Sequence, residues 1–322
     1  MRAQPQPVAA HHLARRFPIT AALIALNLLV FLAMVLRGVH PLHPAIDQMM
    51  NWGAQYGPLT LDGDWWRLFS SMFLHYGFIH LALNMWCLWN LGLLAESLFR
   101  RWTFLVIYLA SGIGADIFSL SWDPIRVSAG ASGAVFGLAG ALITSLYFAR
   151  LAVPRSELQG IIKSVVLFAG YNLVFGFTIK TIDNMAHLGG LVTGLLIGLA
   201  MAPVLSRPKD QRTPAKLAIM SIAAIVLFAA VLAVKHVQVY AVFFFRGEQL
   251  LQNRDYSGAL AELQQAASRK PNHAMVQALL GLAYEANKDK ANAITAYQRA
   301  LRLDPSIKFA RENLQNLQQG GP

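Results

Sequence analysis

Gly130-Ala131-Ser132-Gly133-Ala134-Val135-Phe136-Gly137 heads an apolar run long enough to enter a bilayer, and Ala186-His187-Leu188-Gly189-Gly190 opens another. A hydroxyl and an imidazole facing a hydrocarbon interior are costly to keep there and mark function by default. Ser132 and His187 therefore read as a serine–histidine pair built inside a membrane. The rest of the chain has to supply the helices that hold the pair together and the groups that let it react.

The 322 residues are 56% hydrophobic and only 13% charged, where a soluble domain is about a quarter charged. This composition fits an all-α polytopic membrane protein with room for a small further domain. Apolar runs near the ~20 residues that cross ~30 Å of hydrocarbon fall at roughly Ile19–Leu36, Phe78–Leu98, Phe104–Leu120, Ala129–Phe148, Ile161–Ile179, Met185–Leu205 and Leu217–Val234. Arg15 and Arg16 precede the first run, but Met34-Val35-Leu36-Arg37 offers no small-residue cleavage site. A retained span is expected there, not a signal peptide. Cys87 is the single cysteine and can close no intrachain disulfide, so the redox compartment is not readable.

Loop charges set the expected orientation. Arg2, Arg15, Arg16, Arg100, Arg101, Arg150, Arg155, Lys163, Arg207, Lys209, Arg212 and Lys216 fall on one side, and only Arg37, Arg67, Arg126 and Lys180 on the other. Twelve against four places the N-terminus in the cytoplasm and, after seven spans, the C-terminal segment outside. The same placement accounts for most of the +11 net charge, so nucleic acid is not an expected partner.

Beyond Val239 the periodicity changes. Gly247, Ala259, Ala266 and Pro271 recur as Gly281, Ala293, Ala300 and Pro305, each 34 residues on. That period, with Leu280-Gly281-x-x-Tyr284 and a closing proline, resembles the tetratricopeptide repeat. Small residues let paired helices approach closely, and the proline ends the second helix. Ile307–Gln318 is expected as a solitary capping helix. Such a surface is usually a peptide-binding or scaffolding element, with a spacer or self-association surface as the plainer reading. Ten lysines and arginines against seven acids in this tail leave room for a mildly acidic partner or anionic lipid.

Two further polar residues, His80 and Asn84, sit at i and i+4 on one face of the second span, with His75 just before them. Zinc is the obvious rival, since His75, His80 and His187 could converge. The chain has no His-Glu-x-x-His and no carboxylate or thiol set at metal-ligand spacing. No metal and no cofactor are expected. Nucleophilic catalysis accounts better for the set, because a serine hydroxyl needs a base to take its proton. Gly133, Gly137, Gly140 and Thr144 form a small-residue stripe beside Ser132, and Gly190, Gly194 and Gly198 share a face with His187. Such stripes let membrane helices approach closely. Glycines packing helices with no chemistry would be the simpler account, but it leaves unexplained why both polar residues border the contact. Asn84, His80 and the backbone N–H of Ser132 are candidate oxyanion donors, although a buried Asn can equally serve only to bond a neighbouring helix. Asp183, four residues before His187, is expected in a solvated loop, which leaves a two-residue dyad.

With these residues assembled, the chain resembles the rhomboid intramembrane serine proteases over about residues 15–235. The matching residues are Trp66-Arg67, the His75/His80/Asn84 run ending in Glu96, Gly130-Ala131-Ser132-Gly133, and Asn184-Met185-Ala186-His187-Leu188-Gly189-Gly190. The resemblance implies Ser132 as nucleophile and His187 as general base, with His80, Asn84 and the Ser132 amide lining the oxyanion hole. It places His75, Gly130, Ala131, Gly133 and Phe136 around the site, Phe136 stacking near the base. It further implies that Trp66-Arg67 belongs to a structured first loop in the membrane interface. The fifth span, with Phe168, Tyr171, Phe175 and Phe177, would be a lateral gate for substrate. Water would enter from the extracytoplasmic side.

The expected organisation is a cytoplasmic segment over 1–17, a six-helix rhomboid core over 18–205, a basic loop and seventh span over 206–239, and extracytoplasmic repeats over 240–322. The long Gly38–Trp65 stretch shows little clear helix. The expected function is hydrolysis of transmembrane segments of other membrane proteins, in a bacterial inner or plasma membrane. The alternative is a non-catalytic adaptor that binds transmembrane clients and presents the repeat domain. A transporter using Asn84 and His187 as a polar path finds no support in the sequence.

Overall fold

The computed structural model describes residues 16–178, 182–208 and 211–319. Most of the basic 1–17 segment lies outside the described residues, as do Lys180 and Lys209 of the loop charge count. The chain folds as two compact units. One is Met1–Tyr56 with Trp65–Leu232, and the other is Gly57–Asp64 with Ala233–Pro322.

The first unit is built on long apolar helices: α1 (Pro18–Leu36), α5 (Phe78–Phe99), α6 (Arg101–Trp122), α7 (Ser132–Phe148), α8 (Arg155–Thr178), α9 (Asn184–Leu205) and α10 (Arg212–Gln238), the last as far as Leu232. Six of them are long and apolar enough to cross a membrane; α7, at 17 residues, is the short one. Between α1 and α5 the chain is more structured than its composition predicts. It forms α2 (Ile46–Trp52), the strand β1 (Gln55–Tyr56), α3 (Gly57–Asp62, in the second unit), α4 (Arg67–Ser70) and a 3₁₀ turn (Ser71–Phe73). The expectation of little helix over Gly38–Trp65 is thus corrected. Segments of six or seven residues carry too few turns to show a 3.6-residue period. Strand β1 pairs antiparallel with β2 (Val127–Ser128), Gln55 opposite Ser128 and Tyr56 opposite Val127. Arg67, 6% exposed, knots this loop by donating from Nη1 to the carbonyls of Met50 (2.6 Å) and Ala54 (3.1 Å).

A buried polar clamp joins α1 to the far end of α5. Glu96 accepts from the N–H groups of Ile19 (3.1 Å) and Thr20 (2.8 Å) and from Thr20 Oγ–H (2.7 Å). The first N–H groups of a helix have no intrahelical acceptor, so this carboxyl group caps α1 from a distance. Glu96→Ala strands three donors, the two of Thr20 buried and that of Ile19 partly so, at about 1–3 kcal/mol for each buried one. A clear drop in the unfolding midpoint in detergent is expected, and an unchanged midpoint would contradict the clamp.

The centre of this unit is the contact of α7 with α9. A Cβ at Gly190 would collide with the Gly133 carbonyl, and one at Gly194 with the Gly137 carbonyl. The two backbones therefore touch where only glycine fits. The contact is closed by hydrogen bonds from Thr144 Oγ1 to the Leu195 carbonyl and from Ser145 Oγ to the Gly198 carbonyl, both 3.0 Å.

In the second unit α11 (Tyr240–Gln252), α12 (Tyr256–Arg269), α13 (Ala274–Ala286), α14 (Lys290–Leu303) and α15 (Lys308–Gln318) form two helix pairs and a cap. The 34-residue period is visible in detail. Asp255 and Asp289 each cap a helix, accepting from Gly258 N–H and Asn292 N–H. Arg254 and Lys288 both turn at φ 63°. Gly247 faces Leu263 as Gly281 faces Tyr297. The cap is tied by a polar knot: Tyr297 donates to Glu285 (2.6 Å), and Asn313 donates to the Tyr297 hydroxyl (2.9 Å). Burial raises the Tyr297 phenol well above its ordinary value, keeping it a donor. Tyr297→Phe is expected to lower repeat-domain stability by about 1 kcal/mol, read from thermal unfolding of the full chain.

Candidate functional site

Ser132 is the first residue of α7, with Ala131 as its N-cap. His187 lies one turn into α9. The glycine contact draws the two helices together, and Ser132 Oγ stands 2.9 Å from His187 Nε2. With Nε2 unprotonated, the hydroxyl donates to it and the ring proton sits on Nδ1. That nitrogen is buried, with no hydrogen-bond partner among the described residues. Phe136, one turn after Ser132, stacks on the imidazole at 4.3 Å and 15°. This apolar face holds the ring in plane for the hydroxyl. Phe136 also meets Phe168 of α8 at 6.2 Å.

His80 approaches from α5. A Cβ on Gly130 (φ +138°) would fall 3.1 Å from His80 Nε2 and 3.7 Å from Ser132 Oγ, so glycine alone keeps the space between them open. The His80 tautomer follows from its other nitrogen, since Nδ1 accepts from Tyr76 N–H at 3.2 Å. Nε2 then carries the proton and faces the Gly130 gap as a donor. Tyr76 is held in turn by donating its hydroxyl to the Val127 carbonyl (3.1 Å), and burial pushes its phenol up to about 12. Tyr76 does not figure among the residues expected from sequence; its position beside His80 is the available signal.

Asn84 is one turn further along the same helix face and donates from Nδ2 to the His80 carbonyl at 2.9 Å. Its second N–H remains for another acceptor. His75, fully buried, lies edge-on to His80 at 5.2 Å. Burial, then the neighbouring His80, lowers its pKa well below the ordinary histidine value, so it supports the site as a neutral ring. Among the described residues no three histidine, cysteine or carboxylate side chains converge as a metal site. Asp183 differs from the solvated loop residue expected. It is the N-cap of α9, accepting from Ala186 N–H at 3.0 Å, and it also accepts from Ser119 Oγ–H at 2.5 Å. On α8, Tyr171, Phe175 and Phe177 are exposed while Phe168 packs inward against the core.

Fold and site together define a polytopic α-helical membrane protein with a serine–histidine pair at its central helix contact. Residues 62–204 match the family described as Rhomboid domain, and residues 246–306 match a tetratricopeptide repeat. Less than half of the chain thus carries the match to a Rhomboid domain, and the match to the tetratricopeptide repeat lies C-terminal to it. The chain is 28% identical to Rhomboid protease GluP of Bacillus subtilis (strain 168) over 92% of this chain and 56% of that protein. It is 29% identical to Rhomboid protease AarA of Providencia stuartii over 74% of this chain and 87% of that one. RHOMBOID-like protein 5 of Arabidopsis thaliana is 35% identical over 50% of this chain and 52% of its own length. The chain thus spans little more than half the length of the first and third of these relatives.

Proposed function

We propose that the chain is an intramembrane serine endopeptidase that cleaves transmembrane segments of other proteins. The observation that carries this reading is the 2.9 Å contact of Ser132 Oγ with His187 Nε2 at a backbone-to-backbone helix crossing. In the proposed reaction Ser132 Oγ attacks the scissile carbonyl carbon as His187 Nε2 takes its proton. The oxyanion is stabilised by His80 Nε2–H, Asn84 Nδ2–H and the Ser132 backbone N–H. The last has no intrahelical acceptor at the first position of α7, and the helix dipole there favours negative charge. His187 then protonates the leaving amine. A water activated by the same imidazole releases the acyl group from Ser132.

The short α7 supports water access. Its 17 residues rise only roughly 25 Å, less than the ~30 Å hydrocarbon layer. A helix that begins at Ser132 and ends at the cytoplasmic face starts below the outer surface. The loop charges support a cytoplasmic N-terminus and an extracytoplasmic repeat domain in a bacterial inner or plasma membrane. Substrate enters past α8, and cleavage falls near the outer end of its span, at a small residue beside helix-weakening ones. The backbone must leave its helix before reaching Ser132. The repeat domain recruits a protein or peptide partner.

The test is cleavage of a model transmembrane substrate in liposomes, with product termini mapped by mass spectrometry. Wild type is expected to give one dominant cut near the end of the segment, and Ser132→Ala none. Equal product from both would end the reading of Ser132 as nucleophile, and no product from either, with substrate still bound, would support a non-catalytic adaptor.

A further inference from the structure

The reaction proposed above does not use Asp116, a carboxyl group on α6 that is only 5% exposed. An ionisable residue inside a transmembrane helix is costly to bury and calls for a role. Its Oδ2 accepts from Ser71 Oγ–H at 2.7 Å, and the Ser71 carbonyl accepts the Gly130 N–H at 2.9 Å. Asp116 therefore reaches, through one residue, the glycine that separates His80 from Ser132.

Three residues on, and on the same helix face, Ser119 Oγ–H donates to Asp183 Oδ2 at 2.5 Å. Asp183 uses its other oxygen to cap α9 at Ala186 N–H, and its carbonyl accepts the His187 N–H at 3.1 Å. Ser71 and Ser119 are 2% and 1% exposed, so neither bond competes freely with water. One stretch of α6 thus grips both halves of the site. Asp116 holds the loop that leads to the nucleophile, and Ser119 with Asp183 holds the helix that carries the base.

We propose that Asp116 and Asp183 are positioning residues that set the Ser132–His187 separation from a common support on α6. This rests on the protease reading. Neither carboxyl group touches the reacting atoms. Each fixes the element on which a reacting residue stands, and a misplacement of about 1 Å in such a geometry costs on the order of 100-fold in rate.

The test measures kcat and KM on a model transmembrane substrate in liposomes, beside the unfolding midpoint. The variants are Ser71→Ala, Ser119→Ala, Asp116→Asn and Asp183→Asn in the full chain. The serine variants each remove one hydrogen bond and leave the α9 cap in place, so the fold survives. They are expected to lose about tenfold to 100-fold in kcat with KM within about twofold, at temperatures where all protein is folded. Asn retains a carbonyl acceptor and is a good helix cap, so the asparagine variants are expected to keep most of kcat. Wild-type kcat in both serine variants would overturn the proposal. So would a loss that tracks the folded fraction or appears only in KM, or asparagine variants that lose as much kcat as the serine variants. An inactive wild type would instead count against the protease reading itself.

Discussion

Ser132→Ala and His187→Ala are each expected to reduce hydrolysis of a transmembrane substrate by about 10⁴-fold or more, and the double variant by no more than the worse single one. Groups that act as a unit are strongly non-additive, because removing either leaves the other nothing to do. The 2.9 Å contact makes Ser132 and His187 such a unit. Without the imidazole the hydroxyl keeps its proton; without the hydroxyl the imidazole has no nucleophile to activate. Folding is expected to be preserved, since the hydroxyl and ring occupy the end of the α7–α9 contact and not its middle. Kinetics of the two singles and the double in one liposome preparation give the answer directly. Multiplicative losses would mean that the two residues act independently.

The second large effect is steric. Gly194→Val is expected to abolish activity and to destabilise the first unit by about 3 kcal/mol or more. Its side chain would have to occupy the space of the Gly137 backbone. The helices can only separate, and with them Ser132 and His187. Gly160, on α8, has nothing within 4 Å of where its Cβ would lie. Gly160→Ala is therefore expected to leave the midpoint unchanged or to add up to about 1 kcal/mol of stability through helix propensity. Equal tolerance at both positions, seen in unfolding midpoints in detergent, would contradict a contact that needs glycine.

Much of this architecture is legible in the sequence because hydrocarbon imposes simple rules. Each span announces itself by length, and any polar residue inside it stands out. Ser132, His187, His80 and Asn84 are visible for that reason, and the glycine spacing predicts which spans meet. The 34-residue repeat is readable through its periodicity. The short elements between α1 and α5 are not, because two- to seven-residue segments have no period to detect. The β1–β2 pairing joins residues far apart in sequence by backbone groups alone. Asp183 reads as a solvated loop residue in the sequence because its partner Ser119 lies on another helix. Asp116 gives a signal, a carboxyl group in an apolar run, but Ser71, which explains it, is an ordinary loop serine until the fold brings it there.

The central claim is that His187 activates Ser132. A fluorophosphonate, which reacts with an activated serine hydroxyl, tests it when peptide mass mapping locates the adduct. Wild type in liposomes should carry the adduct on Ser132, and His187→Ala should carry none over the same time. Labelling of another residue, or equal labelling of Ser132 with and without His187, would contradict the account.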